Sequence, residues 1–182
     1  MSKSKNPWKT LATKEIYKNP WIRLREDQVI KPDGSKGIYG VVQVKPAVII
    51  VAVDNQKRIC LVNLFRYTTN NFSWETPSGG AESSRLLENA KRELKEETGI
   101  RAGKWKKIGS YNSLNGICDD VCYTFLARDL IFNSKNNQHE EGIIKMKFFS
   151  LKEIFAMIAI GEFTDSQSIT AITQVAVYLK FI

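Results

Sequence analysis

The sequence predicts a mixed α/β domain of the α+β kind, preceded by a small antiparallel β arm. Three observations carry this. The apolar run "AVIIVAV" (residues 47–53) has the length of a buried strand. In "LLENAKRELKEETG" (residues 86–99), Leu86, Leu87, Ala90 and Leu94 recur at helical spacing, and Gly99 supplies a helix stop. The elements run as strands, one helix, more strands and two closing helices, which does not alternate regularly enough for a doubly wound parallel sheet. The chain's 182 residues suit one domain with an appended arm. We divide it into an arm at 1–46 and a main domain at 47–182.

In chain order, "WIRLREDQVI" (residues 21–30) is the first expected strand. "KPDGSKG" follows, with Pro32, Asp33 and Gly34 in turn order. "IYGVVQV" (residues 38–44) runs back, so the arm is expected to be a hairpin. After the break at "KPA", residues 48–53 form a stronger strand, "DNQK" turns the chain, and "RICLVNLFRY" continues as a partner. "TTNNFSWETPSGGAESS" is a loop by composition. Ser83 or Ser84 is expected to cap the helix that follows. "WKKIGSYNSLNG" and "DVCYTFLARDL" read as strand or loop, then strand; "NSKNNQHEEG" is a polar loop and "IIKMKFFSL" a strand. "SLKEIFAMIAIGE" is a short helix and "DSQSITAITQVAVYLKFI" a longer amphipathic one.

Composition excludes several classes. No stretch is long enough and charge-free enough to span a bilayer. The basic start "MSKSKNPWK" is followed by no apolar segment of a secretory signal, which favours the cytoplasm. Cys60, Cys118 and Cys122 are too few and odd in number for a disulfide framework, and with one distant histidine, His139, they do not compose a zinc site. The net charge of +8 is mostly local: residues 1–46 hold ten Lys/Arg against four Asp/Glu, and residues 47–182 hold seventeen against fifteen. A basic arm attracts anions of many kinds, but no aromatic-interleaved recognition motif accompanies it, so nucleic acid and membrane are not expected partners.

The sharpest local feature is "RELKEETGI" (residues 92–100). Glu93, Glu96 and Glu97 fall at i, i+3 and i+4 of a helix and share a face. Each neighbouring pair of like charges costs on the order of a few tenths of a kcal/mol in water. A solvated acidic helix tolerates this. A buried one needs a cation, and a hard divalent ion such as magnesium prefers carboxylate oxygens. Arg92 can reach back to Glu88 or forward to Glu96 and hold a carboxylate in place. Upstream, "PSGG" permits backbone to approach a ligand closely and exposes a carbonyl that could join a metal shell.

The stretch "GGAESSRLLENAKRELKEETGI" resembles the Nudix box, Gly-x5-Glu-x7-Arg-Glu-U-x-Glu-Glu-x-Gly-U, with U a bulky apolar residue. Its second half matches at Arg92, Glu93, Leu94, Glu96, Glu97, Gly99 and Ile100. Its first half departs: the glutamate position is Ser84 and the glycine position Ser78, with Gly79 and Gly80 following, so the loop is one residue short and Glu82 is the available substitute. "LFRYTTNNFSWETPSGG" resembles the stretch before the box in the ADP-ribose pyrophosphatase branch, and "FFSLKEIFAMIAIGEFTDSQSITAI" its C-terminal part.

The resemblance implies a Nudix fold, a mixed β-sheet sandwiched between helices, in a hydrolase of nucleoside diphosphate sugars. ADP-ribose is the first choice of substrate, giving AMP and ribose 5-phosphate. Magnesium is the expected cofactor, with manganese possible. Glu93, Glu96 and Glu97 are the implied metal ligands with the Ser78 carbonyl, and Arg92 steadies them. Bound cations polarise the diphosphate and lower the pKa of water for attack at phosphorus. The base in that branch comes from a downstream loop, where "QHEEG" offers Glu140 and Glu141, with His139 beside them. Arg66 is a diphosphate contact, and Glu75 a ribose or metal contact. Trp21, Tyr39 and Trp74 are candidate platforms for a nucleobase. Trp21 or Tyr39 would come from a partner subunit, because the branch commonly exchanges its N-terminal arm in a homodimer. Two alternatives remain open: another sugar nucleotide such as GDP-mannose, or a nucleotide- or RNA-binding regulator with weak turnover.

Overall fold

The structure, a computed structural model, describes residues 5–132 and 142–182. These residues form ten strands and three α-helices in two compact units. The first unit holds the described residues up to 45 together with Asn112–Asp120. It is a three-stranded antiparallel sheet of β1 (Lys9–Lys18), β2 (Ile22–Ile30) and β3 (Lys36–Val44), in the order β1-β2-β3. The expected hairpin is therefore β2 and β3, and β1 is an addition to it. All ten residues of β1 are exposed, so no buried alternation marked it in the sequence. The 112–120 loop is tied to β3. Val42 N–H donates to the Ile117 carbonyl (2.9 Å), Gln43 Nε2 to Asp119 Oδ2 (2.9 Å), and the Tyr39 hydroxyl to the Gly116 carbonyl (2.9 Å).

The second unit, Pro46–Tyr111 and Val121–Ile182, is the α/β domain. Its central strand β4 (Ala47–Ala52) pairs parallel with β9 (Cys122–Phe132) and antiparallel with the short β7 (Ser78–Gly80); β8 (Ile100–Tyr111) closes the far edge against β9. A second, antiparallel sheet orders β10 (Ile143–Phe149), β5 (Ile59–Arg66) and β6 (Asn71–Glu75). Thus β6 and β7 lie inside the stretch that composition assigned to a loop. Both are short, and turn-forming residues surround them.

Residues 48–53 are continuously apolar because both faces of β4 are covered. Val48, Ile50 and Ala52 join Ala90 and Leu94 of α1 (Leu86–Thr98) in one core. Ile49, Val51 and Val53 join Ile154 of α2 (Leu151–Ala159) and Ala171, Ile172 and Val175 of α3 (Ser166–Tyr178) in the other. The mixed sheet is thus sandwiched between helices. The α1 start differs from expectation: Ser83–Arg85 forms a 3-10 turn, and Arg85 occupies the N-cap without a side-chain cap. The stop agrees. Gly99 is left-handed (φ 69°), and its N–H donates to the Lys95 carbonyl at 2.8 Å. Helix α2 opens on a capping box between Ser150 and Glu153, and α3 on Asp165, whose carboxylate accepts the Ser168 N–H at 2.8 Å. Among the described residues no helix is long and apolar enough to cross a membrane.

Candidate active site

Helix α1 presents two stripes. Leu87, Ala90 and Leu94 face the core, and Glu93 and Glu97, one turn apart, lie on the adjoining stripe. That stripe is covered by β7, so both carboxylates are buried, with Glu93 7% and Glu97 8% exposed. Glu97 Oε2 accepts the backbone N–H of Ser78 at 3.2 Å. The Glu93 carboxylate lies over Gly79, filling the space a Cβ there would need. Arg92 resolves its two options in favour of the forward direction: Nη1 donates to Glu96 Oε2 and Nη2 to Glu93 Oε1, each at 2.6 Å. Partial burial alone would lower the Arg92 pKa, but the charges of Glu93 and Glu96 and their hydrogen bonds outweigh it and raise it. Glu96, at the rim, is less buried than the other two. Glu82 is exposed ahead of the 3-10 turn.

These groups suit a hard divalent cation. The donors are all oxygen, and burying neighbouring carboxylates is costly unless positive charge accompanies them. Among the described residues no three His, Cys, Asp or Glu side chains form a ready metal cluster. The available set is therefore Glu93 and Glu97, with Glu96 at the rim and the Ser78 backbone alongside. Glu140, Glu141 and His139 lie outside the described residues.

A second feature stands near the acidic turn. Arg66, at the end of β5, forks onto Glu75 at the end of β6, with Nε to Oε1 at 2.8 Å and Nη2 to Oε2 at 2.5 Å. Glu75 is buried and Arg66 half exposed. The hydrogen bonds to Glu75 raise the Arg66 pKa most, burial opposes them, and the charges of Glu75, Asp165 and Glu97 raise it further. Arg66 thus feels both the acidic turn and the start of α3. The pair lines a cavity of about 560 Å³, which Asn71, Phe72, Thr164 and Asp165 also border. Trp74 is outside that lining and packs edge-to-face on Phe149 at 5.0 Å. Sequence reasoning missed the contribution of residues 164–167 to this cavity; the signal was the Asp-Ser-Gln-Ser helix opening, whose N-terminal backbone N–H groups suit anions. Trp21 and Tyr39 belong to the first unit. Trp21 is 76% exposed, and Tyr39 meets Trp8 edge-to-face at 5.5 Å.

A model of the NUDIX domain matches residues 43–170. The chain belongs to the Nudix family. A model of the nucleoside diphosphate sugar hydrolase N-terminal domain matches residues 8–42, so this Nudix enzyme is of the nucleoside diphosphate sugar hydrolase type. Two curated relatives are similar along nearly their whole length. An ADP-ribose pyrophosphatase of Bacillus subtilis (strain 168) is 29% identical over 166 residues, 90% of either chain. An ADP-ribose pyrophosphatase of Mycobacterium tuberculosis (strain ATCC 25618 / H37Rv) is 28% identical over 177 residues, 94% of this chain and 84% of that one. The crystal structure of an ADP compounds hydrolase superposes with a TM-score of 0.83 at 19% identity, covering 98% of this Nudix chain and 97% of the other, which establishes the shared fold. Nudix hydrolases generally use a divalent metal ion.

Proposed function

We propose that this Nudix enzyme hydrolyses ADP-ribose to AMP and ribose 5-phosphate with magnesium, or manganese in its place. The observation that carries the reading is the burial of Glu93 and Glu97 against Ser78 and Gly79, beside the Arg66–Glu75 cavity. In this reading Glu93, Glu97, Glu96 and the Ser78 carbonyl hold the metal, and Arg92 fixes the orientation of Glu93 and Glu96. A divalent ion there neutralises diphosphate oxygens and activates water. Glu75 holds the Arg66 guanidinium through Nε and Nη2, so that Arg66 presents its charge and Nη1 to the diphosphate, and Glu75 faces the ribose. Glu140 or Glu141 serves as base. The two curated relatives, both ADP-ribose pyrophosphatases, support this choice of substrate.

The division into an arm at 1–46 and a hydrolase domain at 47–182 belongs to this reading, as does a homodimer with exchanged arms. The first unit exposes Leu11, Ile16, Tyr17, Trp21 and Ile38, apolar side chains available to a second arm. In the dimer Trp21 or Tyr39 stacks on the base. A cytoplasmic location completes the reading. The deciding experiment is phosphate release from ADP-ribose with magnesium and a coupled phosphatase, run beside GDP-mannose and other sugar nucleotides. ADP-ribose should be the best substrate, and Glu97→Gln should abolish turnover with the fold intact. A higher kcat/KM for GDP-mannose refutes the substrate, and full activity in Glu97→Gln refutes the metal assignment.

A further inference from the structure

The side of α1 that meets edge strand β8 carries a second cleft. Its volume is about 490 Å³, and Lys91, Arg92, Lys95, Arg101, Ala102 and Trp105 line it. Lys91 and Lys95 stand one turn apart on α1, and Arg101 is the second residue of β8. Arg92 is committed to Glu93 and Glu96. Among the described residues, no carboxylate oxygen lies within 4.0 Å of the charged nitrogens of Lys91, Lys95 or Arg101. Neighbouring cations on β8 differ: Lys104 pairs with Asp129 at 2.9 Å, and Lys107 sits 4.1 Å from the centroid of the Tyr123 ring. Among the described residues, three charges without a carboxylate partner thus gather around one cavity, although the domain's own excess of positive charge is small.

The cleft wall is as specific as its rim. Trp105 packs against the core of Ala90 and Leu94, and its Nε1–H donates to the Ala102 carbonyl at 3.1 Å. That bond uses the ring's single polar donor and fixes its orientation. Among the described residues no lysine or arginine stacks on the Trp105 ring. The wall therefore offers apolar ring surface, and the rim offers positive charge. A ligand matching both has a flat aromatic part and a phosphate. The volume is that of a small-molecule site.

We infer that this cleft binds a nucleoside monophosphate, with its base against Trp105 and its phosphate among Lys91, Lys95 and Arg101. The cleft lies on a different stripe of α1 from Glu93 and Glu97. Arg92 borders both, so a phosphate in the cleft competes with Glu93 and Glu96 for its guanidinium. That coupling rests on the proposed role of the acidic turn, whereas the binding does not.

The test titrates AMP into the isotope-labelled full chain without divalent metal and follows the tryptophan indole N–H resonances, with Trp105 identified by its loss in Trp105→Phe. The Trp105 resonance should shift saturably with AMP. The Lys95→Ala/Arg101→Ala double variant should weaken that binding at least about tenfold, and Lys104→Ala should not. The double variant should keep its metal-dependent hydrolysis of ADP-ribose, which separates this site from the catalytic one. A Trp105 resonance unmoved by millimolar AMP overturns the inference. So does an equal shift with inorganic phosphate alone, or undiminished AMP binding by the double variant.

Discussion

Gly79 and Glu93 occupy one space. A Cβ built on residue 79 would lie 2.3 Å from the Glu93 carboxyl carbon and 2.3 Å from its Oε1. No real contact is that short, so an alanine must displace the carboxylate. Glu93 is the end of a flexible side chain, and it yields more readily than β7 or α1. Gly79→Ala should therefore keep the fold, within about 1 kcal/mol, and, with Glu93 in its proposed role as metal ligand, lower turnover about 100-fold through misplacement of that one group. Thermal melting and steady-state rates on one preparation check this. Wild-type turnover in that variant would mean that catalysis does not need the carboxylate where it now lies.

The Arg66–Glu75 fork predicts separable effects on stability and binding. Arg66→Ala leaves Glu75 buried without its charged partner. Because Arg66 is half exposed, the cost should be about 1–3 kcal/mol, below that of a fully buried pair. Adding Glu75→Gln removes the stranded charge and should restore part of the stability measured by urea unfolding. With Arg66 in its proposed contact with the diphosphate, it should not restore KM. Arg66→Lys should fall between, because an ammonium keeps the charge and loses the fork.

Cys60 gives a pH-dependent signature. Burial, followed by the negative charges of Glu97 and Asp54, pushes its thiol from the ordinary 9.0 up to about 12. The folded state therefore holds the proton more tightly than the unfolded chain. The stabilisation this provides is complete below about pH 9 and fades as pH rises toward 12. The stability gap between wild type and Cys60→Ala should narrow over that interval in chemical denaturation. At pH 8, a thiol reagent should modify half-buried Cys118 and spare Cys60 and Cys122 until the chain unfolds.

What the sequence disclosed follows from where its patterns had physical causes. The continuous apolar run of β4, the α1 stripe and the Gly99 stop all reflect burial or backbone geometry, and all three appear in the structure. Strand β1 has no buried face, so its Leu11 and Ile16 gave no periodic signal. β7 is three residues of Ser-Gly-Gly, and its strand character comes from pairing with β4. Ser84 had capping chemistry, but the chain makes a 3-10 turn there and enters the α-helix at Leu86. At the candidate site, the shared helix face of Glu93 and Glu97 was legible from their spacing, and the strand-end place of Arg66 from the apolar run before it. The pairing of Arg66 with Glu75 and the contribution of residues 164–167 depend on strand register and on docking of α3, which spacing along the chain does not encode.

The last prediction concerns how that docking positions the site. Thr76 N–H donates to Ser168 Oγ at 2.8 Å, the two hydroxyls lie 3.1 Å apart, and both residues are buried. Thr76 follows Glu75 and stands two residues before Ser78, so one hydroxyl of α3 holds the segment joining the Arg66 fork to the acidic turn. Ser168→Ala strands the Thr76 N–H away from water. The expected cost is about 1–3 kcal/mol, or roughly 2–4 °C of melting temperature per kcal/mol in a chain of this size. Ser166→Ala, exposed on the first turn of the same helix, should change stability by less than about 0.5 kcal/mol. If the segment positions Glu75 and Ser78, Ser168→Ala should also lower kcat/KM about tenfold at temperatures well below its melting point. A loss of stability with unchanged kcat/KM would assign the Thr76–Ser168 link to folding alone.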